Sequence, residues 1–129
     1  MIKKPVWTNG CFDILHVGHL AMLRYAASLG DHLIVGVDTD DRVAKSKGPD
    51  RPINCLQDRI DMLEAIKYVD AVVSFNTDKE LESLIKSYSP SHLVVGADYI
   101  HKRVIGAEHA TQVMFFEKIP GYSTTSIIQ

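Results

Sequence analysis

Two histidines, His16 and His19, stand where a predicted strand gives way to a predicted helix. Asn9-Gly10 ends the short β-prone run Pro5–Thr8, and from Val17 onward apolar residues recur at helical spacing. The i, i+3 spacing places both imidazoles on the same side of the helix start. Unpaired N–H groups and the positive end of the helix dipole attract anions there. This turn is therefore predicted to bind the phosphates of a nucleotide.

Other residues of the same turn fit this prediction. Gly10 and Gly18 remove side chains where the backbone has to approach a ligand closely, and Asp13 adds a carboxylate. Simpler interpretations exist for each residue alone: the histidines could be surface or capping residues, or half of a metal site. The sequence offers no third metal ligand at a convincing position, and Asp13 could simply shape the turn.

Length and composition predict one domain spanning residues 1–129 and able to bury a core. The formal net charge of −2 argues against a nucleic-acid partner, which usually requires a basic face. Cys11 and Cys55 form neither a disulfide framework nor a metal-binding spacing. With no signal segment or membrane-spanning run in the sequence, we expect a cytoplasmic protein without a membrane partner.

Apolar, β-prone runs alternate with helical patterns along the chain. The predicted strands are Pro5–Thr8, Leu33–Val37, Asp70–Phe75, His92–Gly96 and Val113–Phe116. This alternation predicts an α/β fold, a doubly wound, Rossmann-like, five-stranded parallel sheet with helices on both faces. In such sheets ligands bind beyond the carboxyl ends of the strands. The residues that follow the predicted strands are Asn9-Gly10, Asp38-Thr39, Asn76-Thr77, Gly96-Ala97-Asp98 and Lys118.

The most polar segment, residues 42–52, is predicted to be an exposed, mobile loop that carries Lys45 and Lys47. After it, Asn54 and Gln57 match a capping box that opens a helix. That helix should turn Ile60, Leu63, Ala65 and Ile66 toward the core and place Arg59 within reach of the same edge of the sheet. Thr77 and Glu80 match a second capping box, and a short helix is expected from Ala107.

The segment His16-Val17-Gly18-His19, taken together with Tyr122-Ser123-Thr124-Thr125-Ser126-Ile127, resembles the signatures of the cytidylyltransferase-like nucleotidyltransferases. The two motifs stand at opposite ends of the chain, so the resemblance covers nearly all of it. The first motif alone is less specific, because class I aminoacyl-tRNA synthetases carry a related one. The resemblance implies transfer of a nucleoside monophosphate from ATP or CTP to a sugar- or polyol-phosphate, with release of pyrophosphate.

Two branches of the family are similar to this sequence. The segments Asn9–His16, Arg51–Asn54 and Gly96–Tyr99, with Ile105-Gly106, look like heptose 1-phosphate adenylyltransferase, which is often fused to a sugar kinase. Lys118 stands where the alternative, glycerol-3-phosphate cytidylyltransferase, carries a phosphate-binding arginine. Lysine keeps that charge but lacks the bidentate fork. Tyr122 departs from the small or aliphatic residue common at its position. The heptose branch is favoured.

The resemblance also implies roles for individual residues. His16 and His19 would donate hydrogen bonds to the α- and β-phosphates, with the backbone of Gly10, Cys11 and Phe12 adding fixed dipoles. Lys45 and Lys47 would reach the substrates from the loop. The remaining expected nucleotide contacts are Asn9, Asp13, Gly18, Arg59, Gly96, Asp98, Tyr99, Lys118, Tyr122, Ser123, Thr124 and Thr125. Mg²⁺ is expected to bridge the phosphates, Asp13 to orient His16 or approach that metal, and the chain to form a homodimer.

A non-catalytic α/β module, such as a receiver domain or a nucleotide sensor, is the competing interpretation. Receiver domains need an acidic pair after the first strand and an aspartate after the third. Here Asn9-Gly10 and Asn76 stand at those positions. The glycine-rich motifs of dinucleotide-binding Rossmann domains and of P-loop proteins are absent from the sequence.

Overall fold

The computed structural model describes residues 4–117 as one parallel five-stranded sheet with helices on both faces. The strands are β1 (Pro5–Gly10), β2 (His32–Asp38), β3 (Ala71–Phe75), β4 (His92–Gly96) and β5 (Gln112–Phe116). The helices are α1 (Val17–Ser28), α2 (Asp40–Lys47), α3 (Leu56–Glu64) and α4 (Asp78–Tyr88), with short 3₁₀ turns at Ala97–Tyr99 and Ala107–His109. The predicted fold class and all five predicted strands are confirmed.

The strand order is β3-β2-β1-β4-β5, and every neighbouring pair is parallel. The order reverses at β1, which lies between β2 and β4, so the loops after β1 and β4 diverge to opposite faces of the sheet. A crevice opens at such a point. Within the sheet, Thr8 of β1 is linked to β4, because its hydroxyl donates a hydrogen bond to the Val94 carbonyl at 2.9 Å.

Two apolar clusters cover the two faces of the sheet. On one face, Leu23 and Ala26 of α1 and Leu63 of α3 pack against inward-facing residues of β1, β2 and β4. On the other, Leu81 and Ile85 of α4 pack against a cluster that contains Trp7. Burial of apolar side chains of this size stabilises the folded domain. The two clusters also hold α1 against one face of the sheet and α4 against the other.

The predicted mobile loop at residues 42–52 is wrong for its first half, because Asp40–Lys47 is helix α2. Thr39 caps this helix, since its hydroxyl accepts from the Arg42 N–H at 3.3 Å. Asp40 and Asp41 lie in the first turn and lysines in the last, as the helix dipole favours. Because only Val43 is buried, the segment shows no apolar periodicity, and its polar sequence therefore predicted a loop.

The start of α3 also differs from its prediction. The N-cap is Cys55, without a side-chain hydrogen bond, rather than Asn54. Leu63 is buried and Ile66 packs against the same cluster, whereas Ala65 is exposed. The cap at Thr77 is confirmed, with its hydroxyl accepting from the Glu80 N–H at 3.1 Å. No helix in residues 4–117 is long and apolar enough to span a membrane.

Candidate active site

The first turn of α1 is capped by two imidazoles. His16 is the N-cap residue, and its Nδ1 accepts from the Gly18 N–H at 3.1 Å. His19, three residues on, accepts from the His16 N–H through its own Nδ1 at 3.2 Å. This is the reciprocal geometry of a capping box, in which the N-cap and N3 side chains each satisfy a free backbone donor. The i, i+3 spacing is therefore required by the helix start itself.

The same hydrogen bonds determine where each ring carries its proton. Because Nδ1 accepts in both His16 and His19, the neutral rings hold their hydrogen on Nε2. Burial, together with the charges of His16 and Lys47, lowers the pKa of His19 from 6.5 to about 4. Burial also lowers the pKa of His16. At neutral pH the pair thus consists of uncharged hydrogen-bond donors.

The Phe12 ring packs against the ring of His19. Phe12 adopts a left-handed backbone with φ of 50°, is buried, and its ring lies 5.3 Å from that of His19 with the planes tilted. A Cβ at Gly10 would come within 3.3 Å of the Phe12 ring, which is tighter than ordinary contact. Gly10 therefore makes room for the side chain that positions His19. His16 and His19 themselves stack, with ring centroids 3.9 Å apart.

Asp13 fastens this turn to the segment before α3. Its carboxylate accepts from the backbone N–H of Ile53 and of Asn54, both at 2.8 Å, and from Nε of Arg51 at 3.3 Å. Burial raises the pKa of Asp13, but the hydrogen bonds from Asn54, Ile53 and Arg51 outweigh it, so the net shift is downward. Both oxygens are engaged in this way, so the structure gives Asp13 a role in holding the turn. That Asp13 orients His16 or approaches a metal stays a prediction.

Arg59 has a structural place rather than the expected phosphate contact. Its side chain is fully buried and donates to the carbonyls of Cys11 at 2.9 Å, Asp38 at 2.8 Å and Asn54 at 3.0 Å. It also forms an ion pair with Asp40 at 2.7 Å. One guanidinium thus joins the ends of β1 and β2 to α3. This side chain holds the edge of the sheet together and is not exposed to a ligand.

An open cavity of about 680 Å³ lies at the carboxyl edge of the sheet, above the crevice. Seven of the expected site residues line it: Asn9, Gly10, Cys11, Lys45, Lys47, Gly96 and Tyr99. His16 and His19 are outside its walls, as are Phe12, Asp13, Gly18, Arg59 and Asp98. The Asn9 amide oxygen accepts from Nε1 of Trp7 at 2.8 Å, which directs this side chain to the α4 face.

Lys47 connects the cavity to the histidines. It is exposed, lines the cavity at the end of α2, and its charge is one of the causes that lower the pKa of His19. Burial raises the pKa of Asp38, another lining residue, and the charges of Arg42, Arg59 and Lys47 oppose the rise. Since such effects decay with distance, the Lys47 ammonium is near enough to the His19 ring to help lower its pKa.

The cavity is also lined by residues that were not among the expected site residues. They are Thr8, Met22, Asp38, Arg42, Ser46, Asn76, Leu81, Val95, Arg103, Val104 and Ile105. Asp38 and Asn76 did carry a signal, because both stand directly at a strand end. Arg103 did not, since its position depends on the path of the chain after β4.

Part of the expected site lies outside the described residues. Lys118, Tyr122, Ser123, Thr124 and Thr125 all follow residue 117, the last one that the structure describes. Their roles stay predictions.

Mg²⁺ requires oxygen ligands in octahedral geometry. Within residues 4–117, Asp38 is the only carboxylate that lines the cavity, and its Oδ1 is paired with Arg42 Nε at 2.9 Å. The group Glu82, Glu108 and His109 is close enough to hold an ion but stands elsewhere, on α4 and the second 3₁₀ turn. The described residues thus provide no dedicated Mg²⁺ cage at the cavity.

Comparisons with known proteins agree with this architecture. The family described as "Cytidylyltransferase-like" matches residues 7–129. The bifunctional protein HldE of Helicobacter hepaticus is 52% identical over 98% of this chain, and that of Campylobacter fetus is 48% identical over 98%. The chain spans about a quarter of the length of these relatives, 26% and 27% respectively.

A solved structure has the same fold. The lipopolysaccharide core biosynthesis protein from Thermoplasma volcanium superposes with a TM-score of 0.69 at 24% identity. The match covers 93% of this chain and 98% of that one. At this identity the likeness concerns the fold alone.

Proposed function

This chain belongs to the cytidylyltransferase-like family, and from that premise we propose that it is a nucleotidyltransferase. It would transfer a nucleoside monophosphate from a nucleoside triphosphate to a sugar- or polyol-phosphate. An oxygen of the acceptor phosphate attacks the α-phosphorus, the bond from that phosphorus to the bridging oxygen breaks, and pyrophosphate leaves. No covalent enzyme intermediate is required, so catalysis consists of positioning and charge stabilisation.

The observation that carries this proposal is the neutral imidazole pair at the start of α1, beside a cavity that Lys47 lines. His16 and His19 accept through Nδ1 and present Nε2–H as the donor. Donors fixed in this way stabilise negative charge that develops on phosphate oxygens, without a proton having to move. Lys47 adds a full positive charge, and the N-terminus of α1 adds the helix dipole.

Heptose 1-phosphate and ATP are the substrates that we favour. The compared relatives are bifunctional HldE proteins that match almost the whole chain but are about four times longer. This fits the branch whose adenylyltransferase is often fused to a sugar kinase. Glycerol 3-phosphate with CTP remains the alternative, because Lys118 supplies a charge at the position that is basic in that branch.

Mg²⁺ is proposed to enter with the triphosphate. Since Asp38 is paired with Arg42, the ion would be coordinated chiefly by phosphate oxygens and water, as is usual for this metal. When bound, it neutralises charge on the triphosphate. A homodimer in the cytoplasm is the assembly and compartment that we propose.

A matrix of substrates tests the proposal. ATP and CTP are each combined with heptose 1-phosphate and glycerol 3-phosphate in the presence of Mg²⁺, and pyrophosphate release is measured. We expect release with one triphosphate and one acceptor together, and none when either is omitted. Binding of a triphosphate without pyrophosphate release from any pair would instead identify a nucleotide-binding module.

A further inference from the structure

The cavity has two ends that differ in chemistry. Toward α1 it is bounded by Gly10, Cys11 and Met22, beside the turn that carries the histidines. Toward α4 its wall contains the apolar residues Leu81, Val95, Val104 and Ile105, with Asn76 and Arg103 as polar members and with Gly96 and Tyr99, two expected nucleotide contacts, beside them. Leu81 belongs to the apolar cluster on the α4 face, and the other three apolar residues pack against it. The α4 end of the cavity therefore lies toward the opposite face of the sheet from α1, whose first turn carries the imidazoles.

Two arginines line the cavity, and they differ in how their charge is compensated. Arg42 pairs with Asp38 at 2.9 Å and Asp78 at 2.8 Å, and its guanidinium lies 5.1 Å from the centre of the Phe75 ring. Arg103 is exposed and forms no hydrogen bond or ion pair with any residue between 4 and 117. Arg103 is thus an uncompensated cation that lines the cavity.

The backbone beside Arg103 is held firmly. Val104 and Ile105 pack against the cluster around Ile85, and the Val104 carbonyl accepts from the Ala107 N–H at 3.2 Å. Gly106 has φ of 85°, and a Cβ there would lie 2.6 Å from Cδ1 of Ile85. The chain therefore lies directly against α4 at this point, which keeps the Arg103 side chain at the cavity.

The proposed reaction determines which substrate approaches from each end. The attacking and leaving oxygens stand roughly in line on opposite sides of the transferred phosphorus. In the proposed reaction the histidines at the α1 end hold the departing pyrophosphate and Gly96 and Tyr99 contact the nucleoside, so the acceptor would approach from the side of the α-phosphorus away from the histidines, where Arg103 lines the cavity. Arginine suits a phosphate monoester because its planar fork contacts two oxygens at once.

We propose that Arg103 binds the phosphate of the acceptor and so selects phosphorylated sugars or polyols as substrates. This rests on the function proposed above. The guanidinium holds acceptor phosphate oxygens other than the attacking one, and Lys47 remains with the triphosphate. Arg103 is accordingly a substrate-binding residue that acts on acceptor affinity.

The test compares wild type with Arg103→Gln, Arg103→Lys and the control Arg24→Gln. Arg24 is an exposed arginine of α1 outside the cavity wall. Calorimetry measures binding of heptose 1-phosphate, of glycerol 3-phosphate and of the triphosphate, each separately. Pyrophosphate release is then followed with each substrate varied in turn. Unfolding by urea verifies that the variants are folded.

We expect Arg103→Gln to weaken acceptor binding about ten- to a hundred-fold, the usual range for losing a hydrogen bond to a charged group. Triphosphate affinity should stay within about two-fold, Arg103→Lys should be intermediate, and Arg24→Gln should match wild type. The same loss in binding without any turnover by wild type would support the role of Arg103 and overturn the proposed reaction. Unchanged acceptor affinity, weakened triphosphate affinity, or failure of wild type to bind either acceptor would overturn the role of Arg103.

Discussion

The Nδ1 atom of His19 accepts the backbone N–H of His16 at 3.2 Å, while the two rings stack at 3.9 Å. In each imidazole, Nδ1 thus accepts a backbone N–H at the start of α1. The other ring nitrogen, Nε2, carries the hydrogen that a phosphate oxygen can accept. The capping role of each histidine and its proposed role in catalysis therefore use different atoms of the same ring, so suitable substitutions can separate the two.

Asparagine at position 16 should separate them. It is among the best N-cap residues, so His16→Asn keeps an acceptor for the Gly18 N–H but removes the Nε2–H donor. We expect turnover to fall on the order of 10²–10³-fold, with the free energy of unfolding close to wild type. His16→Ala should show the same loss of turnover and also lose about 1 kcal/mol of stability with the cap. Pyrophosphate release and urea unfolding measure the two effects, and equal turnover of wild type and His16→Asn would exclude His16 as a phosphate donor.

Acid should destabilise the fold through His19. Its folded pKa, about 4, lies below the usual 6.5, so between these values the unfolded chain binds more protons than the folded chain. The free energy of unfolding should therefore fall as pH decreases from 6.5 toward 4. His19→Gln retains a capping acceptor at N3 but does not titrate, so its stability should change less over that interval. Urea midpoints at pH 7 and pH 5 for both proteins provide the measurement, and parallel declines would contradict the role given to His19.

The sequence predicted the elements whose signals are local. The strands show as apolar, β-prone runs, and the Thr77 cap lies directly beside the helix that it opens. Helix α2 was not predicted, because only Val43 of its residues is buried. The sequence features that indicate this helix are the Thr39 cap and the charges at its two ends. They are weaker evidence for a helix than an apolar stripe.

Residues that line the cavity were predicted where their position depends on strand ends, and were missed where it depends on contacts distant in sequence. Gly96 and Tyr99 line the cavity because parallel strands end at one edge. Arg59 looked like a phosphate ligand, yet its partners are the carbonyls of Cys11 and Asp38, 48 and 21 residues away. Arg103 was not given a role, because its place depends on how the chain after β4 packs on α4.

Asp13→Asn should act on stability rather than on the metal requirement. The carboxylate accepts from Ile53, Asn54 and Arg51, and an amide would place an NH₂ group against one or more of these donors. We expect a loss of about 1–3 kcal/mol in the free energy of unfolding. The Mg²⁺ concentration for half-maximal pyrophosphate release should stay unchanged. A several-fold increase in that concentration with normal stability would show instead that Asp13 binds the metal.

Lys47→Ala should alter both the chemistry and the titration of its neighbour. Because Lys47 ends a formed helix, α2, it reaches the cavity without a loop having to order. Loss of its charge should lower turnover on the order of 10²-fold. Since this charge helps to lower the pKa of His19, the substitution should also raise that pKa, which an NMR titration of the His19 ring can follow. Lys86→Ala, which removes an exposed lysine of α4 outside the cavity wall, should change neither quantity. A loss of turnover in Lys47→Ala with an unchanged His19 titration would mean that the ammonium acts on the substrates from farther away than the structure indicates.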